Sequence, residues 1–96
     1  MTREDVLATL RRHMPEIRGH KVSSLAVFGS VARGEEIAGS DIDILVEFET
    51  PVSIFKFLDL KECLEGILGQ TVDLVTRDAL KPQLRDRILA EAVSAT

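Results

Sequence analysis

The chain contains no tryptophan and no tyrosine, and its four phenylalanines fall within apolar strand or helix patterns. Proteins that read single-stranded nucleic acid stack bases on aromatic rings above a basic groove. A chain with a formal net charge of −4 and so few rings offers neither, so direct nucleic-acid recognition is disfavoured. Arg11-Arg12 and the Arg85/Arg87 pair, the latter flanked by acids, read as solvated helix faces. The single cysteine, Cys63, excludes an intramolecular disulfide and fits a reducing cytosol. It lies in a helical pattern and reads as a packed thiol rather than a nucleophile. His13 and His20 have no partner at metal-ligand spacing, which leaves them solvated or capping roles. No apolar run approaches the ~20 residues of a membrane span, and Met1-Thr2-Arg3-Glu4-Asp5 lacks a signal-peptide core, so a cytoplasmic protein is expected. There are no repeats, low-complexity tracts or linkers. The 96 residues, 45% of them hydrophobic, are expected to form one small domain over residues 1–96. Such a domain buries about two-thirds of its unfolded surface.

Hydrophobic periodicity lays out the elements. Residues 3–14 read as an amphipathic helix with Val6, Leu7, Leu10 and Met14 on one side, ended at or just after Pro15. A strand is expected over residues 24–28, a turn over 35–39, and a second strand over 41–49. Thr50-Pro51 is expected to open a helix, with Ile54, Phe57, Leu58, Leu64, Ile67 and Leu68 as its apolar stripe and Gly69 as its stop. A third strand over residues 71–76 and a last helix over 82–93 complete an α+β fold: a small mixed sheet of three or four strands backed by helices in one layer pair.

The chemistry is concentrated in one segment. Alternation along the second strand turns Ile42, Ile44, Val46 and Phe48 to one face and Asp41, Asp43, Leu45 and Glu47 to the other. Two carboxylates ~4 Å apart repel by about 4 kcal/mol at an effective dielectric of 20. A divalent cation removes that conflict, and all-oxygen ligation suits Mg²⁺ or Mn²⁺. Upstream, the apolar strand Leu25-Ala26-Val27-Phe28 runs into Gly29-Ser30-Val31-Ala32-Arg33-Gly34. Glycine there lets backbone N–H groups approach a phosphate closely, and the Ser30 hydroxyl adds a donor. A lone Gly-Ser is usually a turn and a lone Asp-x-Asp a solvated strand end; at this spacing, in strand–turn–strand context, the pair reads as a nucleotide site. Asp73, between Val72 and Leu74, is disfavoured in mid-strand unless used. Alone it would read as an exposed edge residue, but beside Asp41 and Asp43 it completes a three-carboxylate pocket suited to two metal ions.

Gly29-Ser30, ten intervening residues, Asp41-Ile42-Asp43 and a later strand Asp73 resemble the DNA polymerase beta-type nucleotidyltransferase superfamily. The wording Gly-Ser-x-Ala-Arg-Gly, Ser-Asp-Ile-Asp and the tail Val72-Asp73-Leu74-Val75-Thr76 resemble its minimal nucleotidyltransferase (MNT) antitoxins. The resemblance implies a polymerase-beta-type core and a nucleotidyl-transfer enzyme. Asp41 and Asp43 would hold the Mg²⁺ that carries the triphosphate of ATP. Asp43 and Asp73 would share a second ion, and Asp73 would be the candidate general base. Gly29 and Ser30 would cradle the departing phosphates. Arg33 is a candidate to neutralise phosphate charge, or else it pairs with Glu35 or Glu36. Ser40 is a candidate to touch a phosphate, or else it caps the strand.

A chain of this length has room only for the catalytic core, so the acceptor surface is expected from another chain. The resemblance implies a HEPN-domain toxin encoded by a neighbouring gene, a hetero-oligomer with it, and AMP transfer to one of its tyrosines. Two alternatives stand beside this: an antitoxin that neutralises by binding alone, and the catalytic subunit of a small-molecule nucleotidyltransferase.

Overall fold

The computed structural model describes residues 1–35 and 41–96. Helix α1 (Arg3–Arg12) begins at a reciprocal cap: the Thr2 hydroxyl accepts the Asp5 N–H, and the Asp5 carboxylate accepts the Thr2 N–H. Such a cap contributes about 1 kcal/mol. The expected single helix over residues 3–14 is two. The chain breaks at His13 and resumes as α2 (Met14–Arg18), in whose first turn Pro15 sits where a missing N–H costs nothing. The break lets Met14 and Ile17 join Val6, Leu7 and Leu10 in the core.

Strand β1 (Val22–Phe28) is followed by one helical turn, α3 (Gly29–Ala32). Next come β2 (Ile42–Phe48), helix α4 (Ile54–Leu68) and β3 (Val72–Thr76). A 3₁₀ turn (Arg77–Ala79), α5 (Pro82–Glu91) and β4 (Val93–Ser94) complete the described chain. The four strands form one mixed sheet in the order β3-β2-β1-β4. The pairs β1/β2 and β1/β4 are antiparallel, and β2/β3 is parallel across α4. The α+β mixed sheet is thus as expected, with two differences. The tail of the expected last helix leaves α5 after Glu91 and pairs with β1 as a fourth strand. The sheet is also covered on both faces rather than one. Ile42, Ile44, Val46, Leu25, Val27, Val72 and Leu74 pack against α1, α2 and α4. Phe28, Leu45 and Leu80 form a smaller cluster with Ile88 and Leu89 of α5 on the other face.

Helix α4 starts later than expected. The Ser53 side chain accepts the Lys56 N–H and caps it, which leaves Thr50 and Pro51 in the preceding loop. Its inward stripe is Leu60, Leu64 and Leu68, whereas Ile54 and Leu58 are 62% and 49% exposed. Leu64 and Leu68 of the expected stripe are buried, and Phe57 and Ile67 pack partly buried against the core. The first turns are apolar on two sides, so periodicity alone does not set Ile54 and Leu58 apart. Gly69 ends α4 at φ +67°, as expected of a left-handed helix stop.

Candidate functional site

The site lies on the α5 face, where β1 ends and β2 and β3 begin. Parallel register places Asp43 of β2 directly beside Asp73 of β3. Antiparallel register places Asp43 opposite Phe28, the last residue of β1. Gly29 then turns the chain into α3 at φ +75°, and a Cβ built on it would fall inside the Asp43 carboxylate. Both facts require glycine: the left-handed backbone and the absence of a side chain that would displace Asp43.

The electrostatics of this corner are strained. Burial, followed by the negative charge of Asp73, a hydrogen bond with the Asp73 carboxyl and the charge of Asp41, raises the Asp43 carboxyl from 3.8 to about 6; the Arg33 cation opposes the rise. Half-buried Asp43 is thus poorly served as an anion in the free protein, while Asp41 and Asp73 lie exposed beside it. The Asp41 carboxylate accepts a hydrogen bond from the Thr71 hydroxyl, and the Ile42 N–H bonds the Thr71 carbonyl, which holds the heads of β2 and β3 together. Glu65 of α4 accepts the Val72 N–H on the same rim, and that bond lowers its pKa.

A match to the nucleotidyltransferase domain model covers residues 7–95. The chain belongs to the nucleotidyltransferase domain family. Within that family it is 43% identical to the protein adenylyltransferase MntA of Thermococcus cleftensis over 97% of this chain and 95% of that one. It is 46% identical to a candidate protein adenylyltransferase of Methanocaldococcus jannaschii, MJ0435, over 86% and 89% of the two chains. Among solved structures, a chain described as a candidate minimal nucleotidyltransferase superposes with a TM-score of 0.83 at 40% identity, covering 97% of this chain and 95% of that one. The tri-AMPylated Shewanella oneidensis HEPN toxin in complex with MNT antitoxin gives a TM-score of 0.67 at 19% identity, over 94% and 71% of the chains, and shows the shared fold.

In this nucleotidyltransferase the structure gathers Gly29, Asp41, Asp43 and Asp73 at one corner. Ser30 follows Gly29 as the second residue of α3 and is half-buried. Ser40, and the turn expected over residues 35–39 beyond Glu35, lie outside the described residues. Arg33 is ion-paired with Glu35 at 3.1 Å and with Glu91 at 3.3 Å. Glu91 is the residue that sequence reasoning missed. Its carboxylate accepts the Gly29 N–H at 3.1 Å as well as the Arg33 guanidinium. One signal was available: an acid in the last turn of a helix opposes the helix dipole and calls for a compensating partner.

Among the described residues, no three ligand side chains stand together closely enough to hold a metal ion by themselves. Asp41 is turned to Thr71, which leaves Asp43 and Asp73 as the close pair. That donor set fits Mg²⁺, which takes one or two carboxylates and completes its shell with water and substrate phosphate oxygens. It does not fit a cation that needs a full protein cage. A groove of about 670 Å³ opens elsewhere, at the far ends of β2 and β3, lined by Phe48, Ile54, Phe57 and Arg77. It holds none of the three aspartates.

Proposed function

We propose that this nucleotidyltransferase is the antitoxin of a toxin–antitoxin pair and transfers AMP from ATP to a tyrosine hydroxyl of a HEPN-domain toxin. The observation that carries the reading is the raised, crowded carboxylate of Asp43, wedged between Gly29 and Asp73. Such crowding costs a free protein stability, and metal-assisted phosphoryl chemistry makes use of it. The 43% identity to a protein adenylyltransferase supports the reaction class. Fold-level likeness to a toxin–antitoxin complex with AMP-PNP is consistent with the partner and the nucleotide.

In this reading Asp41, Asp43 and Asp73 would hold Mg²⁺, with Asp41 released from Thr71 to join the other two. When bound, Mg²⁺ supplies charge neutralisation on the triphosphate and a lowered pKa for the acceptor hydroxyl. Gly29 and Ser30 bind the outer phosphates through the backbone and hydroxyl, and Arg33 offsets their charge. Asp73, exposed at the rim, is open to an acceptor from outside and takes the phenolic proton. The tyrosine oxygen bonds to the α-phosphorus, the α–β bridging P–O bond breaks, and pyrophosphate leaves. In this reading the acceptor tyrosine comes from the partner, within a cytoplasmic hetero-oligomer; the 96-residue sequence itself carries no tyrosine.

The test is incubation of the protein with ATP, Mg²⁺ and the product of the neighbouring gene, followed by intact mass measurement. Mass increments of whole AMP units on the neighbour, absent when Asp43 is replaced by asparagine, are the expected result. An unmodified neighbour that is nevertheless neutralised by stoichiometric binding refutes the enzyme reading.

A further inference from the structure

The β4 segment decides what faces Gly29. Ala26 pairs with Ser94 and Val27 with Val93 in antiparallel register, so continuing the two chains past the sheet brings Glu91 opposite Gly29. Its carboxylate is placed there by strand pairing and by the end of α5. The side chain is only 20% exposed, and it makes the two contacts that a phosphate oxygen would be expected to make at this corner. One Glu91 oxygen accepts the Gly29 N–H at 3.1 Å, and the Arg33 guanidinium reaches both oxygens at 3.3 and 3.4 Å. Neither contact serves the helix that carries it. Glu91 is the last residue of α5, a turn that holds no basic residue, where a negative charge faces the helix's own carbonyl ends. It also adds a further negative charge to a corner that already holds Asp41, Asp43 and Asp73. Against both penalties stand the Gly29 amide and the Arg33 guanidinium, two anion-binding donors that the carboxylate engages.

We propose that Glu91 is the resting occupant of the phosphate subsite formed by Gly29 N–H and Arg33, that the triphosphate displaces it, and that it thereby sets nucleotide affinity. The inference rests on the assignment of Gly29 and Arg33 to phosphate binding under the proposed function. Exchange of a carboxylate for a phosphate on the same two donors makes binding weaker than the open subsite would allow. The same exchange couples nucleotide arrival to the end of α5 and to the start of β4. The effect follows the phosphate chain, since Glu91 competes with phosphate oxygens and not with the base or ribose.

The experiment compares wild type, Glu91→Gln and Glu91→Ala by calorimetry with Mg·AMP-PNP, with Mg·triphosphate and with adenosine. Glutamine keeps the length and one acceptor oxygen but drops the competing charge. Both variants are expected to bind the two phosphate ligands about tenfold more tightly than wild type, with adenosine unchanged. A purely structural role for Glu91 predicts the reverse, weaker phosphate binding together with a lower melting temperature. Equal or weaker phosphate binding by well-folded variants therefore overturns the inference. Wild-type protein supplies a readout that needs no variant: the ¹³C resonance of the Glu91 side-chain carboxyl is expected to shift when Mg·AMP-PNP saturates the site. A resonance that stays in place at saturation overturns the inference as well. If wild type and variants alike fail to bind Mg·AMP-PNP, the nucleotide site itself is refuted, and the role of Glu91 falls with it.

Discussion

Replacing Asp43 by asparagine is expected to stabilise the free protein while removing its activity. The carboxyl has a folded pKa of about 6 against an ordinary 3.8. A raised carboxyl contributes stability that is fully present below its unfolded pKa and lost as pH rises through the folded value. Two units correspond to about 3 kcal/mol at 1.36 kcal/mol per unit. Asp43 is only half-buried, and solvent screening reduces the penalty to about 1–2 kcal/mol. Asparagine keeps the volume, removes the charge and offers Asp73 an N–H donor. At pH 8 without divalent cations, the variant should therefore melt roughly 5–10 °C above wild type, at several degrees per kcal/mol for a domain of this size. The gap should close between pH 6 and pH 4, where the wild-type carboxyl is protonated. AMP transfer to the partner should fall by at least about a hundredfold, since metal charge stabilisation is worth several kcal/mol. Melting curves from pH 4 to pH 8 beside a transfer assay at pH 8 measure both. A variant less stable than wild type at pH 8, or a gap that does not change with pH, would refute the burial and like-charge account.

Gly29→Ala forces a Cβ onto the Asp43 carboxylate at a positive φ; a loss of about 2 kcal/mol of stability is expected by thermal denaturation, along with most of the transfer activity. Mg²⁺ with ATP should raise the thermal midpoint by up to about 2.7 kcal/mol equivalent at a hundredfold excess over Kd. ATP with EDTA should do much less, and an equal shift without metal would place the phosphates on protein donors alone. A catalytic amount of the protein, with ATP and Mg²⁺, should silence an excess of partner RNase activity, and the silencing should outlast removal of the protein; recovery of RNase activity on removal would favour neutralisation by binding.

Part of the candidate carboxylate cluster was legible in the chain because those parts are local. Asp41-Ile42-Asp43 shares a strand face by alternation, and Gly29-Ser30 ends a short apolar strand, so both follow from a two-residue period and a turn. Asp73 could be placed on a strand, but its neighbour could not: parallel pairing across α4 is a non-local contact, and the register that sets Asp73 beside Asp43 is written in packing. The break at His13 and the late start of α4 after Ser53 shifted expected boundaries, since Pro15 cannot continue α1 and the Ser53 side chain caps α4.

Sequence alone determined the mixed α/β alternation, the residue types that can bind a cation and a phosphate, and the spacing that identifies the family. Tertiary structure decided which charges meet. It raised Asp43 by burying it beside Asp73, and it turned Asp41 to Thr71. It also drew the last residues from the expected helix into β4, which carried Glu91 onto Gly29 and Arg33. Spacing along a chain reports what a strand or turn can present, whereas the electrostatic state of a group depends on neighbours brought from distant positions by sheet register and helix packing.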